Sequence, residues 1–220
     1  MIPYYETENG KLYHGDCLEI IPQLESVDLV YTDPPYNAKK HYGPYKDDMS
    51  DNEYIEYMTK IYKNLEARTS KLITHIPKKY FREFLWFLGK GTVVVIERGA
   101  QGYLNGYQFT DQCDFLFARG RPIKTSPTIW KGIRLKGEGY FFRENTYGHF
   151  GYTPEPIAAK AIQDMTTRGQ TVLDCFGGTG TTANACERFE RKWILIEYEE
   201  EYCEIAAKRI ENETRQLKLF

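Results

Sequence analysis

The stretch 171–202, TVLDCFGGTGTTANACERFERKWILIEYEEEY, constrains the fold more than any other part of the chain. A β-branched run ends at Asp174, and the glycine-rich turn Phe176-Gly177-Gly178-Thr179-Gly180 follows. A helical pattern starts near Thr181, and a second apolar run ends on the acid Glu197. Strand, glycine turn, helix and strand in this order make a βαβ unit, whose two parallel strands need a crossover helix packed on them. The same alternation runs through the rest of the chain. Further strands are expected at 11–15, 27–33, 71–76, 91–98 and 113–119, which with 171–176 and 192–198 makes seven. Helical spacing of apolar residues is clearest at 52–66 (Tyr54, Ile55, Met58, Ile61, Tyr62, Leu65) and recurs at 79–88, 155–167, 180–190 and 199–216. The expected fold is α/β: a mainly parallel seven-stranded sheet with helices on both faces.

The 220 residues suffice for one well-buried domain spanning 1–220. No apolar run is long enough to cross a bilayer and no signal peptide precedes the first strand, so a cytoplasmic protein is expected. Five scattered cysteines with no CxxC pair, and four scattered histidines, point to reduced thiols and to no metal.

Glycines at the turn let the backbone approach a ligand closely. An acid at the end of the next strand, Glu197, is placed to accept hydrogen bonds from ribose hydroxyls. A P-loop is excluded because no lysine occupies Gly178–Thr182. A dinucleotide site fits the glycine spacing of Gly178, Gly180 and Ala183, but Asp174 stands just before the turn. A carboxylate about 5 Å from a pyrophosphate charge costs about 3 kcal/mol at an effective dielectric of about 20. S-adenosylmethionine (SAM) carries an ammonium and a sulfonium and no phosphate, so the same acid favours it. The turn reads as a SAM site.

VDLVYTDPPYN, at 27–37, poses a second question, because an apolar strand runs into an acid and two prolines. Two prolines remove two N–H donors, fix φ, and hold their predecessors extended. Asp33-Pro34-Pro35-Tyr36 is therefore a rigid shelf carrying a carboxylate, bare carbonyls and a flat ring.

These two elements together resemble the DNA amino-methyltransferases, which methylate adenine N6 or cytosine N4. Asp33-Pro34-Pro35-Tyr36 is similar to their catalytic DPPY motif, and Asp174-Cys175-Phe176-Gly177-Gly178-Thr179-Gly180-Thr181-Thr182 to their SAM loop. Glu197-Tyr198 and the following helix resemble the next motif, and Gly15-Asp16-Cys17 the element whose acid meets the SAM adenine. Catalytic motif before SAM loop is the motif order of the β class. The resemblance covers nearly the whole chain and implies a Rossmann-like, SAM-dependent methyltransferase fold. It further implies Asp33 and the Pro34 carbonyl as acceptors for the two hydrogens of an exocyclic amine, and Tyr36 as a stacking face for a base flipped from double-stranded DNA. The acid in DPPY leans toward adenine N6, with cytosine N4 the alternative. More remote alternatives are an RNA N6-adenine methyltransferase, a nicotinamide-dependent oxidoreductase and a silent DNA binder that retains SAM.

The match thins at Gly151-Tyr152-Thr153-Pro154-Glu155-Pro156, where the family commonly has HPTQKP. Thr153 agrees and implies a contact near the methionine end of SAM, while Glu155 replaces the family's lysine. The large target-recognition region of many relatives is reduced here to 120–151, an inserted segment within the one domain. Between Arg119 and Arg143 seven cations face the single acid Glu138, with Trp130, Tyr140, Phe141 and Phe142 interleaved. Arg119, Arg121, Lys124, Lys131 and Arg134 are therefore expected to contact DNA, with Lys39, Lys40 and His41 of the loop after the catalytic motif. So small a recognition surface suggests a short site or a homodimer, and a cognate restriction nuclease is a conceivable partner.

Overall fold

The computed structural model describes residues 1–39, 41–42, 45–97, 113–131 and 155–217. Its strands are β1 (Tyr5–Glu6), β2 (Gly10–His14), β3 (Leu29–Thr32), β4 (His41–Tyr42), β5 (Tyr45–Lys46), β6 (Leu72–His75), β7 (Thr92–Glu97), β8 (Cys113–Arg119), β9 (Ile129–Trp130), β10 (Thr171–Asp174) and β11 (Lys192–Glu197). Its helices are α1 (Cys17–Ile20), α2 (Asp51–Glu66), α3 (Phe81–Leu88), α4 (Glu155–Met165), α5 (Thr181–Arg188) and α6 (Glu200–Leu217).

Nine strands form one sheet in the order β1-β2-β11-β10-β3-β6-β8-β7-β9, and β4 and β5 pair as a separate hairpin. All seven expected strands are present. The count rises to nine because β1 and β9 extend the two edges, each only two residues long and too short to leave an alternation in the sequence. From β2 through β6 the neighbours run parallel, while β8 runs antiparallel to both β6 and β7. Successive residues of the central strands point to opposite faces, and both faces are covered. Leu12, Leu29, Val172 and Leu195 pack with α4, α5 and α6. Tyr13, Val30, Leu173 and Ile196 pack with α1, α2 and α3.

The helices begin where local chemistry starts them. α2 carries a capping box in which the Ser50 hydroxyl accepts from the Glu53 N–H and the Glu53 carboxylate accepts from the Ser50 N–H. α5 starts from Gly180 at φ 84°, and a Cβ there would sit 3.1 Å from Ala206 of α6, so glycine is needed for the turn and for the packing. Chain direction splits in the middle of the sheet: β10 leads to β11 on one side, and β3 leads to β6 on the other. The crevice at the carboxyl ends of β10 and β3 is thus the topological switch point, where open α/β sheets bind ligands. Among the described residues no helix is long and apolar enough to cross a membrane.

Candidate active site

Four neighbouring strands end in acids at this crevice. In sheet order they are Asp16 after β2, Glu197 at the end of β11, Asp174 at the end of β10 and Asp33 after β3. The row follows from parallel pairing, because each strand presents its carboxyl end to the same edge.

Asp174 is buried and held by three donors. The Thr32 hydroxyl donates to Oδ1 at 2.8 Å, the Phe176 N–H donates to Oδ1 at 3.1 Å, and the Thr182 hydroxyl donates to Oδ2 at 2.6 Å. Burial still pushes its carboxyl up from 3.8 to about 6. Thr32 is the last residue of β3, so the first of these bonds ties the strand that delivers the DPPY shelf to the strand that delivers the glycine turn.

Glu197 accepts from the Gly178 N–H at 2.6 Å and from the Glu199 N–H at 2.8 Å. Burial pushes it up from 4.5 to about 7, with the charge on Asp174 adding to the rise. Asp16 uses Oδ1 to cap α1, accepting from the Leu18 N–H at 2.8 Å, and the Gly15 N–H donates to the Glu197 carbonyl. Tyr198 is exposed beside Glu197. The glycine turn is braced from behind by Arg209 of α6, whose guanidinium donates to the carbonyl and the hydroxyl of Thr179.

Not every residue of these motifs presents its side chain to the crevice. Cys17 and Cys175 are buried in the core beneath α1–α3, so their thiols belong to packing, and Phe176 packs against the same cluster. Gly177 is fixed by its N–H to the Ile196 carbonyl, and Gly178 adopts φ 49°. Thr181 is half-buried at the start of α5.

The DPPY shelf is locked by residues that its own motif does not contain. Pro34 is buried and Tyr36 is 38 % exposed. The Tyr54 hydroxyl of α2 donates to the Pro35 carbonyl at 2.6 Å. Asn37 turns the chain at φ 51°, with its N–H and that of Ala38 on the two oxygens of Asp47. Its side-chain amide donates to the Met49 carbonyl and the Tyr80 hydroxyl. Asp33 itself lies 4.0 Å from Nδ1 of His75 at the end of β6.

The basic window is divided between the two edges of the sheet. β8 runs antiparallel, so Arg119 at its end registers with Leu72 at the start of β6. There it ion-pairs with Glu66 at 2.5 Å, at the far end of α2 from the shelf, along a helix about 24 Å long. Arg121 follows, exposed, and Lys124 pairs with Asp164 near the end of α4. These three are not brought to the Asp33 edge. β9 then climbs parallel to β7 and delivers Lys131 to Glu97 at the carboxyl edge, 3.7 Å away. Lys39 is exposed beside the shelf, at φ 58°. Lys40, Arg134 and Thr153 lie outside the described residues, and of His41 only its pairing in the β4–β5 hairpin is described.

Sequence patterns missed Thr32, Tyr54, Asp47, His75 and Arg209. Thr32 and His75 carry one usable signal, since each ends a strand at the edge that binds ligands. Tyr54 and Arg209 read as ordinary helix residues, and only packing shows what they hold.

A family model described as DNA methylase matches residues 119–208. Over 99 % of its length the chain is 29 % identical to the type II methyltransferase M.BamHI of Bacillus amyloliquefaciens, and it spans 61 % of that protein's length. The PvuII DNA methyltransferase, titled cytosine-N4-specific, superposes with a TM-score of 0.74 at 18 % identity, covering 97 % of this chain and 94 % of that one. The M1.HpyAVI–SAM complex superposes with a TM-score of 0.65 at 22 % identity, covering 91 % and 99 %.

Proposed function

Because the chain resembles the DNA methylases that modify adenine N6 or cytosine N4, we propose that it transfers a methyl group from SAM to the exocyclic N6 amine of an adenine flipped out of double-stranded DNA. The observation that carries this reading is the Thr32–Asp174 hydrogen bond, because it brings the DPPY shelf and the glycine turn to one crevice.

The residues present fit SAM better than a dinucleotide. Asp16, Glu197, Asp174 and Asp33 end four adjacent strands, and no lysine or arginine directly follows any of them. A pyrophosphate there would face a row of carboxylates, whereas an ammonium, a sulfonium and ribose hydroxyls would be welcomed. Glu197 accepts from backbone N–H groups, and a carboxylate with about four lone-pair sites retains acceptor capacity for a hydroxyl. Bound in this crevice, SAM would supply an electrophilic methyl group.

The chain's own residues account for the acceptor side. An exocyclic amine is a poor nucleophile because its lone pair is delocalised into the ring. Asp33 and the Pro34 carbonyl would accept its two hydrogens, draw the nitrogen toward tetrahedral geometry and aim the lone pair. A fixed carboxylate stabilises the nitrogen more as it becomes positive, so the interaction strengthens toward the transition state. Shelf rigidity then contributes through orientation, and Tyr54, Asn37 and Asp47 supply that rigidity. Tyr36 offers its half-exposed ring to the flipped base.

Asp33 at the head of the motif favours adenine, and cytosine N4 is the second reading because the same two acceptors serve its amine. Methyl-deuterated SAM with unmethylated double-stranded DNA, followed by digestion to nucleosides and mass spectrometry, tests both. The expected result is label in N6-methyladenine that disappears in Asp33→Ala. Label in N4-methylcytosine overturns the base and keeps the mechanism. No label in either base refutes the function.

A further inference from the structure

His75 is a polar side chain that the family resemblance does not use, and it sits beside the proposed catalytic acid. It ends β6, the strand paired with β3, and is 5 % exposed. The pairing sets Tyr31 against Ile73 and Thr32 against Thr74, so the period of two places Tyr31, Asp33 and His75 on one side of the sheet. The ring has a polar neighbour at each edge. Nε2 lies 3.1 Å from the Tyr31 hydroxyl, and Nδ1 lies 4.0 Å from Oδ1 of Asp33.

The partners favour one tautomer. A ring nitrogen facing a carboxylate is a donor, since two acceptors face to face repel. In the neutral imidazole the other nitrogen is then an acceptor, and a tyrosine hydroxyl can donate to it. The arrangement is Tyr31 O–H to Nε2, and Nδ1–H toward Asp33. Burying the ring requires a hydrogen-bond partner, and Tyr31 already supplies one. Packing therefore leaves the Asp33 side of the ring unexplained. The 4.0 Å spacing is longer than a hydrogen bond, as catalytic contacts commonly are before substrate binds.

We propose that His75 is a positioning residue for Asp33. Its Nδ1–H holds Oδ1 of the carboxylate, so that Oδ2 is presented to the reacting amine. The inference rests on the methyl-transfer reading above and adds to it a residue outside both motifs.

Two substitutions separate the edges of the ring. An asparagine amide nitrogen falls near the position of Nδ1, and a glutamine side-chain amide reaches the position of Nε2, where its oxygen can accept from the Tyr31 hydroxyl. His75→Asn keeps a donor for Asp33 and gives up Tyr31; His75→Gln does the reverse. Each removes one contact of the buried ring, so both lose stability and stability does not discriminate. The single-turnover rate does. His75→Gln is expected to slow methyl transfer by about 100-fold with SAM and DNA affinities unchanged, as misplacement by about 1 Å can. His75→Asn is expected to recover most of that loss. Equal slowing in both variants, or a glutamine variant as fast as wild type, overturns the proposal.

Imidazole ¹⁵N NMR of the full chain provides a readout independent of turnover. The expected signal is an Nδ1–H tautomer whose proton resonance moves in Asp33→Asn. An Nε2–H tautomer overturns the proposal whatever the kinetics show. If the tautomer is Nδ1–H but wild type labels no DNA base, the reaction assigned above is refuted and the His75–Asp33 orientation stands.

Discussion

Two buried carboxylates should make the ligand-free protein less stable as the pH rises from about 4 to 7. Glu197 is pushed from 4.5 to about 7 and Asp174 from 3.8 to about 6, in both cases chiefly by burial. Between the two values for each group the folded chain holds a proton that the unfolded chain has released. The contribution of each to stability is thus fully present below its unfolded value and lost as the pH passes its folded value. At about 1.4 kcal/mol per pH unit, Glu197 accounts for about 3 kcal/mol between pH 4.5 and 7 and Asp174 for about 3 kcal/mol between 3.8 and 6. Either is a sizeable part of a domain stability of about 5–15 kcal/mol. Glu197→Gln isolates the first. Its new NH₂ faces one of the N–H groups that Glu197 accepts, from Gly178 or Glu199, and this penalty is the same at every pH. Urea unfolding of the SAM-free protein from pH 4.5 to 8.5 should therefore show the wild-type curve falling toward the variant's, or below it, by about 3 kcal/mol. Parallel curves would mean that Glu197 is ionised across the range, and the desolvation argument would fail.

Two further outcomes follow from the site's supports and from the division of the basic window. Tyr54→Phe removes the hydroxyl on the Pro35 carbonyl and should cost about 1 kcal/mol in urea unfolding, with kcat falling while the KM for SAM holds. Lys39→Gln with Lys131→Gln should weaken DNA binding and lower the slope of log K against log salt by about 2 in a filter-binding series. Arg119→Gln with Lys124→Gln should leave that slope unchanged, since both side chains sit on acids at the other edge of the sheet.

The sequence carried most of the sheet and half of the site. Seven strands and the long helices announced themselves because alternation and helical spacing are local, and the same holds for DPPY and the glycine turn. Where the cations 119–131 lie was not legible in the same way. Charge composition marks them as one cluster, but the antiparallel run of β8 sends Arg119 down and the parallel run of β9 brings Lys131 back up. Strand direction is a property of pairing, and no local pattern encodes it. The locks on the shelf were hidden for a related reason. Tyr54 occupies a helical core position like Met58 and Leu65, and its hydroxyl acquires a purpose only when α2 packs against Pro35.

The two motifs meet in space however far apart they lie along the chain. The half that carries DPPY consists of β3, β6, β8, β7 and β9, and the half that carries the glycine turn consists of β10 and β11 with β2 beside them. They meet along one seam, where Leu29 pairs with Val172 and Val30 with Leu173, and the Thr32 hydroxyl closes its upper end on Asp174. The arrangement at that end depends on the seam. What cannot be exchanged is the residue at the seam's mouth. A valine in place of Thr32 would preserve the strand and its packing volume, yet it would leave Asp174 one donor short in a buried setting and disconnect the shelf from the cofactor turn.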